Sequence, residues 1–557
     1  MKKVLTILLV ILFVLAASVL WIWRSMGVTD AAMLVPAETV ALASLPDLPR
    51  SAIRWPQTTL SKIGLEPEMK SFLEKPVQYL SKNRGGDEAG GILWNLKPGR
   101  IFTAVVSVSA QEAAVVVGFQ YWGGKSAYDD AVARLRQELT AGDRAAELTR
   151  ENYGTAEIIS SVHQGVTLFT ATEGRWGFLS NNQAAIKDAI ERAAGVSSTP
   201  SLADNPRYQQ VRGRLAKDPD FLVFCQPQSA LETLLAVGQT MGAQAIPQQV
   251  AQAKKVEAIG ATTKLDGANL RDTIFILRAN PPDVGSLTHR AMKLTSEATT
   301  AYFDFVADFQ QISGAAANPA LASLARIPAL QNSRLFPLIP EAFGPECALA
   351  MSWPAERMKP EGIFAVQIRD QAKADEAMQE LLALFPEASV TTEGQARAYS
   401  FPALQSAFAN PTVAITDGFL IVGVDPGDLG RALTAMQSGA SLEKSPAFAP
   451  ALPAFQSANE TFGYIDSKAL FERGFPMLRQ VIIFGAAFMP GANEIIDSSK
   501  IPQTESIAKH LQPIVYAQTR LPEGYLIESS GPITMNHVLL LGASAGASFL
   551  RPENGIR

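Results

Sequence analysis

Gly542-Ala-Ser-Ala-Gly546 is the one string in this 557-residue chain spelled like a nucleophile elbow, G-x-S-x-G. Such an elbow sets a serine on a strained strand-to-helix turn and needs an acid and a histidine later in the chain. The residues after Gly546 contain neither His nor Asp. The string therefore reads as small residues packed closely on a neighbour. It also spells G-x-x-x-G, a helix-pairing pattern in membranes, but its apolar run from Val538 to Leu550 is too short to span a bilayer. A docked or interfacial C-terminal helix is expected there.

His163, His289, His510 and His537 have no second ligand type at metal spacing, and no H-E-x-x-H occurs. Asp304 and Asp308 stand four apart among Tyr302, Phe303, Phe305 and Phe309. On a helix they would face one way, as an acid and a base. The alternation Tyr-Phe-Asp-Phe suits a strand better, with Asp308 capping the helix that follows. Cys225 and Cys347 lie in apolar, strand-like runs, too far apart for a metal site. Buried free thiols are the first reading and one disulfide the alternative. The glycines of 85–91 open no helix after a strand, so no phosphate cradle is indicated. No catalytic, cofactor-binding or metal-ligating residue is assigned, and the expectation is a protein that is not an enzyme.

The elements around these residues say more about place than about chemistry. Val4 to Trp23 carries no charge, follows Lys2 and Lys3, and precedes Arg24. As a helix it spans about 30 Å, the thickness of a bilayer core. Trp21 and Trp23 fall where interfacial aromatics sit, and the two lysines favour a cytoplasmic N-terminus. A membrane anchor (1–24) is expected, with a cleaved signal ending near Ala16-Ala17-Ser18 as the alternative. The bulk of the chain is then extracytoplasmic or periplasmic, held single-pass in the inner membrane. A net charge of −5 with no basic cluster beyond the N-terminus argues against nucleic acid.

The chain says one phrase twice. Gly177-Phe-Leu through Ser201-Leu-Ala-Asp-Asn-Pro206 returns as Gly418-Phe-Leu through Ser441-Leu-Glu-Lys-Ser-Pro446. Between strand and Ser-Leu lies a helix with Ile186, Ala189, Ile190 and Ala193 on one stripe, or Leu429, Ala432, Leu433 and Met436 in the second copy. Asn205-Pro206 and Ser445-Pro446 each look like a helix start, an acceptor side chain before a proline. Leu34-Val-Pro36 is matched with Leu338-Ile-Pro340, and Ile246-Pro-Gln-Gln249 with Ile501-Pro-Gln-Thr504. This predicts two tandem α+β repeats, 33–282 and 336–533, each a largely antiparallel curved sheet with packed helices. A connecting segment, 283–335, contains a strand at Ala301–Val306, and a C-terminal helix and tail fill 534–557.

These phrases resemble an uncharacterised bacterial family, a domain of unknown function that is often signal-anchored and duplicated. The resemblance covers nearly all of the chain after the anchor and implies compartment and duplication. It brings no activity, cofactor or site residue. What the copies share is glycine, proline and apolar positions, the residues of turns and packing. A membrane-anchored, non-enzymatic binding or scaffold protein is the expected function, its partner another envelope protein. Alternatives are a carrier of lipid or another apolar ligand, with Leu478, Val481, Ile482 and Gly485 of an amphipathic helix lining a groove, and an unrecognised hydrolase.

Overall fold

The computed structural model describes residues 30–538, apart from 85–95, 110–111, 140–147, 164–165, 229–230, 232, 234, 236–252, 312–332, 355, 358, 394–395, 407–409, 417 and 489–494. Val4–Trp23, Ile246–Gln249, Gly542–Gly546 and all but the start of 534–557 lie outside the described residues. No described helix is long and apolar enough to cross a membrane. The fold is mixed α and β on extensive antiparallel sheet, in two compact units. The first takes residues up to Pro56, Val77–Leu265 and Thr273–Ala279. The second takes Gln57–Pro76, Asp266–Asp272 and the chain from Asn280.

The first ten strands, most of them wholly in the first unit, are β1 (Ala41–Leu45), β2 (Pro98–Val108), β3 (Ala113–Tyr121), β4 (Thr149–Tyr153), β5 (Ala156–His163), β6 (Val166–Glu173), β7 (Trp176–Ser180), β8 (Phe221–Cys225), β9 (Ala258–Asp266) and β10 (Asn269–Leu277). Their order is β10-β9-β8-β1-β2-β3-β7-β6-β5-β4, and every pair from β9 to β4 is antiparallel. In β3, alternate residues from Ala114 to Gln120 point inward, the period-two burial of a half-covered sheet. Helix Gln183–Ala194 buries Ile186, Ala189 and Ile190. Asn182 caps it, accepting from Ala185 N at 3.0 Å, and Gly195 ends it at φ 72°. Only glycine adopts that left-handed turn without strain.

The second unit's strands are β11 (Thr299–Val306), β12 (Phe343–Ser352), β13 (Glu361–Ile368), β14 (Ser389–Glu393), β15 (Ala396–Ser400), β16 (Thr412–Ile415), β17 (Phe419–Gly423), β18 (Thr461–Ile465), β19 (Ile514–Leu521) and β20 (Gly524–Gly531). They run β20-β19-β18-β11-β12-β13-β17-β16-β15-β14, antiparallel throughout. That is the first unit's order with each number raised by ten.

The strand partners correct three sequence matches. Ala301–Val306, placed between the copies by the sequence, is β11, bonded to β12 on one side and β18 on the other. The second sheet thus starts well before residue 336, and β11 holds the place of β1. Leu338-Ile-Pro340 lies inside helix Leu335–Ala342 and is no counterpart of Leu34-Val-Pro36, which precedes β1. In β7, Phe178 faces Gly118, whereas in β17 it is Ile421 that faces Ala365, so the Gly-Phe-Leu spelling is out of register. Gly177 lies within β7, where a Cβ would meet the Tyr128 and Phe119 rings, while Gly418 turns the chain ahead of β17 at φ 106°. The helix expected at Pro446 starts late. Turns and the 3-10 segment Ala449–Ala451 precede the α-helix Leu452–Ser457. Pro76 lies inside the helix Pro67–Arg84.

Candidate functional site

A polar cluster of the second unit forms where β11 passes under a short turn. Tyr302 and Asp304 are two apart on β11 and share its buried face. His289, in left-handed conformation at φ 55°, precedes the 3-10 turn Arg290–Leu294. Its Nδ1 lies 2.7 Å from Asp304 Oδ2, and its Nε2 is 3.2 Å from the Ala458 carbonyl. The Tyr302 hydroxyl donates to the same Oδ2 at 3.1 Å. Glu346 on β12 accepts from the Thr288 amide at 2.8 Å and from the Thr288 hydroxyl. The imidazole lies against Phe455, with 4.1 Å between ring centres, and edge-on to Phe462.

The electrostatics follow from this geometry. A carbonyl oxygen only accepts, so Nε2 carries a hydrogen, and a proton also lies between Nδ1 and Oδ2. Burial works to lower the His289 pKa, but the hydrogen bond and charge of Asp304 outweigh it and leave it raised. Burial raises the Asp304 carboxyl, and its bonds to His289 and Tyr302 offset only part of that. Both ring nitrogens are engaged, so abstracting a proton from a substrate would first require a bond to break. The cluster ties residues 288–291 to the sheet.

A second cluster joins β13 to helix Pro426–Ser438. Arg431 Nε pairs with Glu361 at 2.7 Å, and its Nη2 pairs with Asp428, also at 2.7 Å. Arg357 reaches Glu361 at 2.9 Å. Asp428 also accepts from the Asp425 amide at 3.1 Å in a capping box. The adjoining pocket, lined by Leu294, Thr299 and Ile363 among others, holds about 110 Å3. Each carboxylate there already has a cationic partner. The cluster is a clamp between strand and helix.

The third feature is apolar. Helix Ser467–Phe488 packs Phe471, Phe475 and Ile482 against Ile63, Phe72, Ile501 and Ile507. Its opposite side carries Met477, Val481 and Phe484 at i, i+4 and i+7, with Val481 66% and Phe484 64% exposed. Leu478 and Ile483 flank them, also exposed. A surface helix has one apolar face, and a helix apolar on both faces has a second surface to cover. Arg473, one turn earlier, is exposed at the end of this stripe. Leu478 and Val481 thus face outward, and only Ile482 of the expected groove residues packs inward.

Asp304 and Asp308 are not brought together: Asp308 accepts from the Gln310 amide at 3.1 Å. The partner of Asp304, His289, was missed because no local spacing links a turn residue to a strand residue beneath it. His510 pairs with Glu66 at 2.6 Å, and Lys509 with His510 holds that carboxyl below its ordinary range. His537 Nδ1 is 2.6 Å from the Thr534 hydroxyl. The side chain of His163 lies outside the described residues. Cys225 and Cys347 are both free thiols, and burial pushes Cys347 up to about 12. Among the described residues no three His, Cys, Asp or Glu side chains converge as metal ligands do.

A family model described as "Protein of unknown function (DUF3352)" matches residues 125–507. No curated protein matches the chain. Among solved structures it is similar to TP0453. Crystal form III gives a TM-score of 0.27 at 7% identity, covering 46% of this chain and 82% of that one. Crystal form I gives 0.26 at 7%, covering 46% and 81%.

Proposed function

This chain belongs to the DUF3352 family of proteins of unknown function, and we propose that it is a non-enzymatic binding protein held at the cytoplasmic membrane by Val4–Trp23, with its bulk extracytoplasmic. In this reading the two units are two copies of one ten-strand design, and the binding face is the exposed side of helix Ser467–Phe488. The common strand order supports the duplication.

The observation that carries the binding role is the stripe Met477, Val481 and Phe484, bare on a helix whose other face is already packed. We take its occupant to be a lipid surface. A chain tethered by an apolar segment keeps its second apolar helix within reach of the same bilayer. Burying a side chain of this kind is worth about 1.5–3 kcal/mol. Arg473 at the end of the stripe suits an interfacial helix, whose cationic head stays at the lipid headgroups.

The test uses the full chain reconstituted in phospholipid vesicles, with Cys225→Ser removing the half-buried thiol. A bimane label on Val481→Cys is expected to be quenched by lipids with brominated acyl chains. A label on the exposed polar position Glu443→Cys is not. Absence of quenching at 481 overturns the lipid reading. Crosslinking of that label to a protein in native membranes would overturn it as well, making the face a protein's seat.

A further inference from the structure

In the first unit the place of the His289–Asp304 cluster is open. Ala41 faces Cys225 at the end of β8 as Ala301 faces Ile465 at the end of β18, so Ser44 stands where Asp304 stands. By the same register Leu222 replaces Phe462, and on the neighbouring strand Arg100 replaces Glu346. Asp30, ahead of the 3-10 turn Ala31–Met33, holds the place of His289. Among the described residues no imidazole takes that place. A pocket of about 250 Å3 remains, bounded by these residues with Arg50, Tyr208, Arg212 and Asp218. It is roomy enough for several water molecules or a small ligand.

Its polar lining is only partly satisfied. Ser44 and Tyr208 are each 6% exposed, no hydrogen bond to either hydroxyl is found among the described residues, and the charges of Asp30 and Arg212 act on Tyr208. Arg50 Nε is buried without a hydrogen bond, while Nη2 of the same group donates to the Pro219 carbonyl at 3.0 Å. Arg100 donates to the Pro46 carbonyl and to Gln120 Oε1, each at 2.9 Å. Arg212 donates to the Ala216 carbonyl at 3.0 Å. A carbonyl accepts a hydrogen bond without neutralising a charge. No carboxylate pairs with Arg100 or Arg212 among the described residues, whereas Arg50 has Asp47 at 3.8 Å and Asp218 at 3.6 Å. Asp30 accepts from the Ala32 amide at 3.0 Å and Asp47 from the Arg50 amide at 3.0 Å.

We propose that this pocket binds a small oxyanion, a molecule bearing a carboxylate or a phosphate, between Arg100 and Arg212 with Ser44 and Tyr208 as hydroxyl donors. Guanidinium groups pair with such anions through charge-assisted hydrogen bonds, the strong class. A half-buried guanidinium held only by carbonyls still lacks a counter-charge, and two of them border one cavity. The second unit cannot repeat the site, because Glu346 replaces Arg100 and the imidazole occupies the space. Among the described residues the second unit therefore does not repeat it.

Titration calorimetry and thermal unfolding of the full chain in detergent micelles test this, with inorganic phosphate and succinate as separate probes. Millimolar additions of at least one are expected to give a saturable heat and raise Tm, as any ligand of the folded state does. A response to phosphate alone or succinate alone identifies the chemistry. Arg212→Gln, and Ser44→Ala with Tyr208→Phe, are expected to weaken binding about tenfold or more. The hydroxyl pair has no hydrogen-bond partner to lose among the described residues, so that double variant is expected to fold, and an unchanged Tm without ligand checks this. No saturable response to either probe overturns the proposal. So does unchanged affinity in both variants.

Discussion

His289 and Asp304 meet at 2.7 Å although one precedes a 3-10 turn and the other lies on a buried strand face. The aspartate has no exposure and the side chain of the histidine only 17%. Removing the imidazole leaves a buried carboxyl with the Tyr302 hydroxyl as its main remaining support. His289→Ala is expected to destabilise the second unit by about 3–5 kcal/mol, as losing one partner of a buried pair does. Urea unfolding measures this, and a loss below about 1 kcal/mol would mean that the pair is not structural.

The same pair makes stability fall as pH rises. Both groups hold their protons to higher pH in the folded chain than in the unfolded one. The folded state therefore binds more protons, and the slope of unfolding free energy against pH is negative. For His289 the stabilisation is fully present below about pH 6.5, the ordinary value of a free imidazole. It disappears as pH passes the raised folded value. Urea midpoints taken on either side of neutrality are expected to drop on the alkaline side in the wild type. The drop should flatten in His289→Ala, and an identical drop in both would assign it to other groups.

Gly118 on β3 faces Phe102 on β2, and a Cβ at 118 would come within 2.1 Å of the Phe102 ring. Gly118→Ala is expected to cost about 1–3 kcal/mol as overpacking, measured by chemical denaturation. Adding Phe102→Leu should recover part of it. The equivalent pair in the second unit is Ala365 facing Ala348, where alanine is already accommodated.

Arg431→Met removes the cation shared by Glu361 and Asp428, both nearly buried. One partner of each survives as a charge without its main counter-ion. A loss of about 3 kcal/mol or more is expected in thermal or urea unfolding, with Arg431→Lys restoring part of it. Equal stability of the Met variant would show that Arg357 alone neutralises the site.

Much of the local structure was legible. Asn205-Pro206 opens a helix as its spelling requires, with Asn205 Oδ1 accepting from Arg207 N at 2.9 Å and Tyr208 N at 3.3 Å. The stripe on Gln183–Ala194, the strand at Ala301–Val306 and the turn at Asp308 were readable because each depends on neighbours in sequence. The repeat register was not, because the units exchange bulk across strands. Phe102 with Gly118 becomes Ala348 with Ala365, and Ala43 with Val223 becomes Phe303 with Gly463. Each exchange conserves the space filled while changing both letters, so a comparison of letters drifts to the wrong match. Asp304 could be seen as a buried acid in an aromatic strand, but nothing local named His289 as its partner.

The strand order has a kinetic side. β1 finds one neighbour in β2, yet its other edge stays unpaired until β8 exists, since Ala41 pairs with Cys225. β11 waits in the same way for Ile465 of β18. During synthesis the middle of each sheet is therefore an open edge for most of the unit's length, and closing it carries the entropy of a long loop. Exposed edges of apolar strands invite pairing with other chains. Late closure of the central strand pair, and hence slow folding, is built into the connectivity.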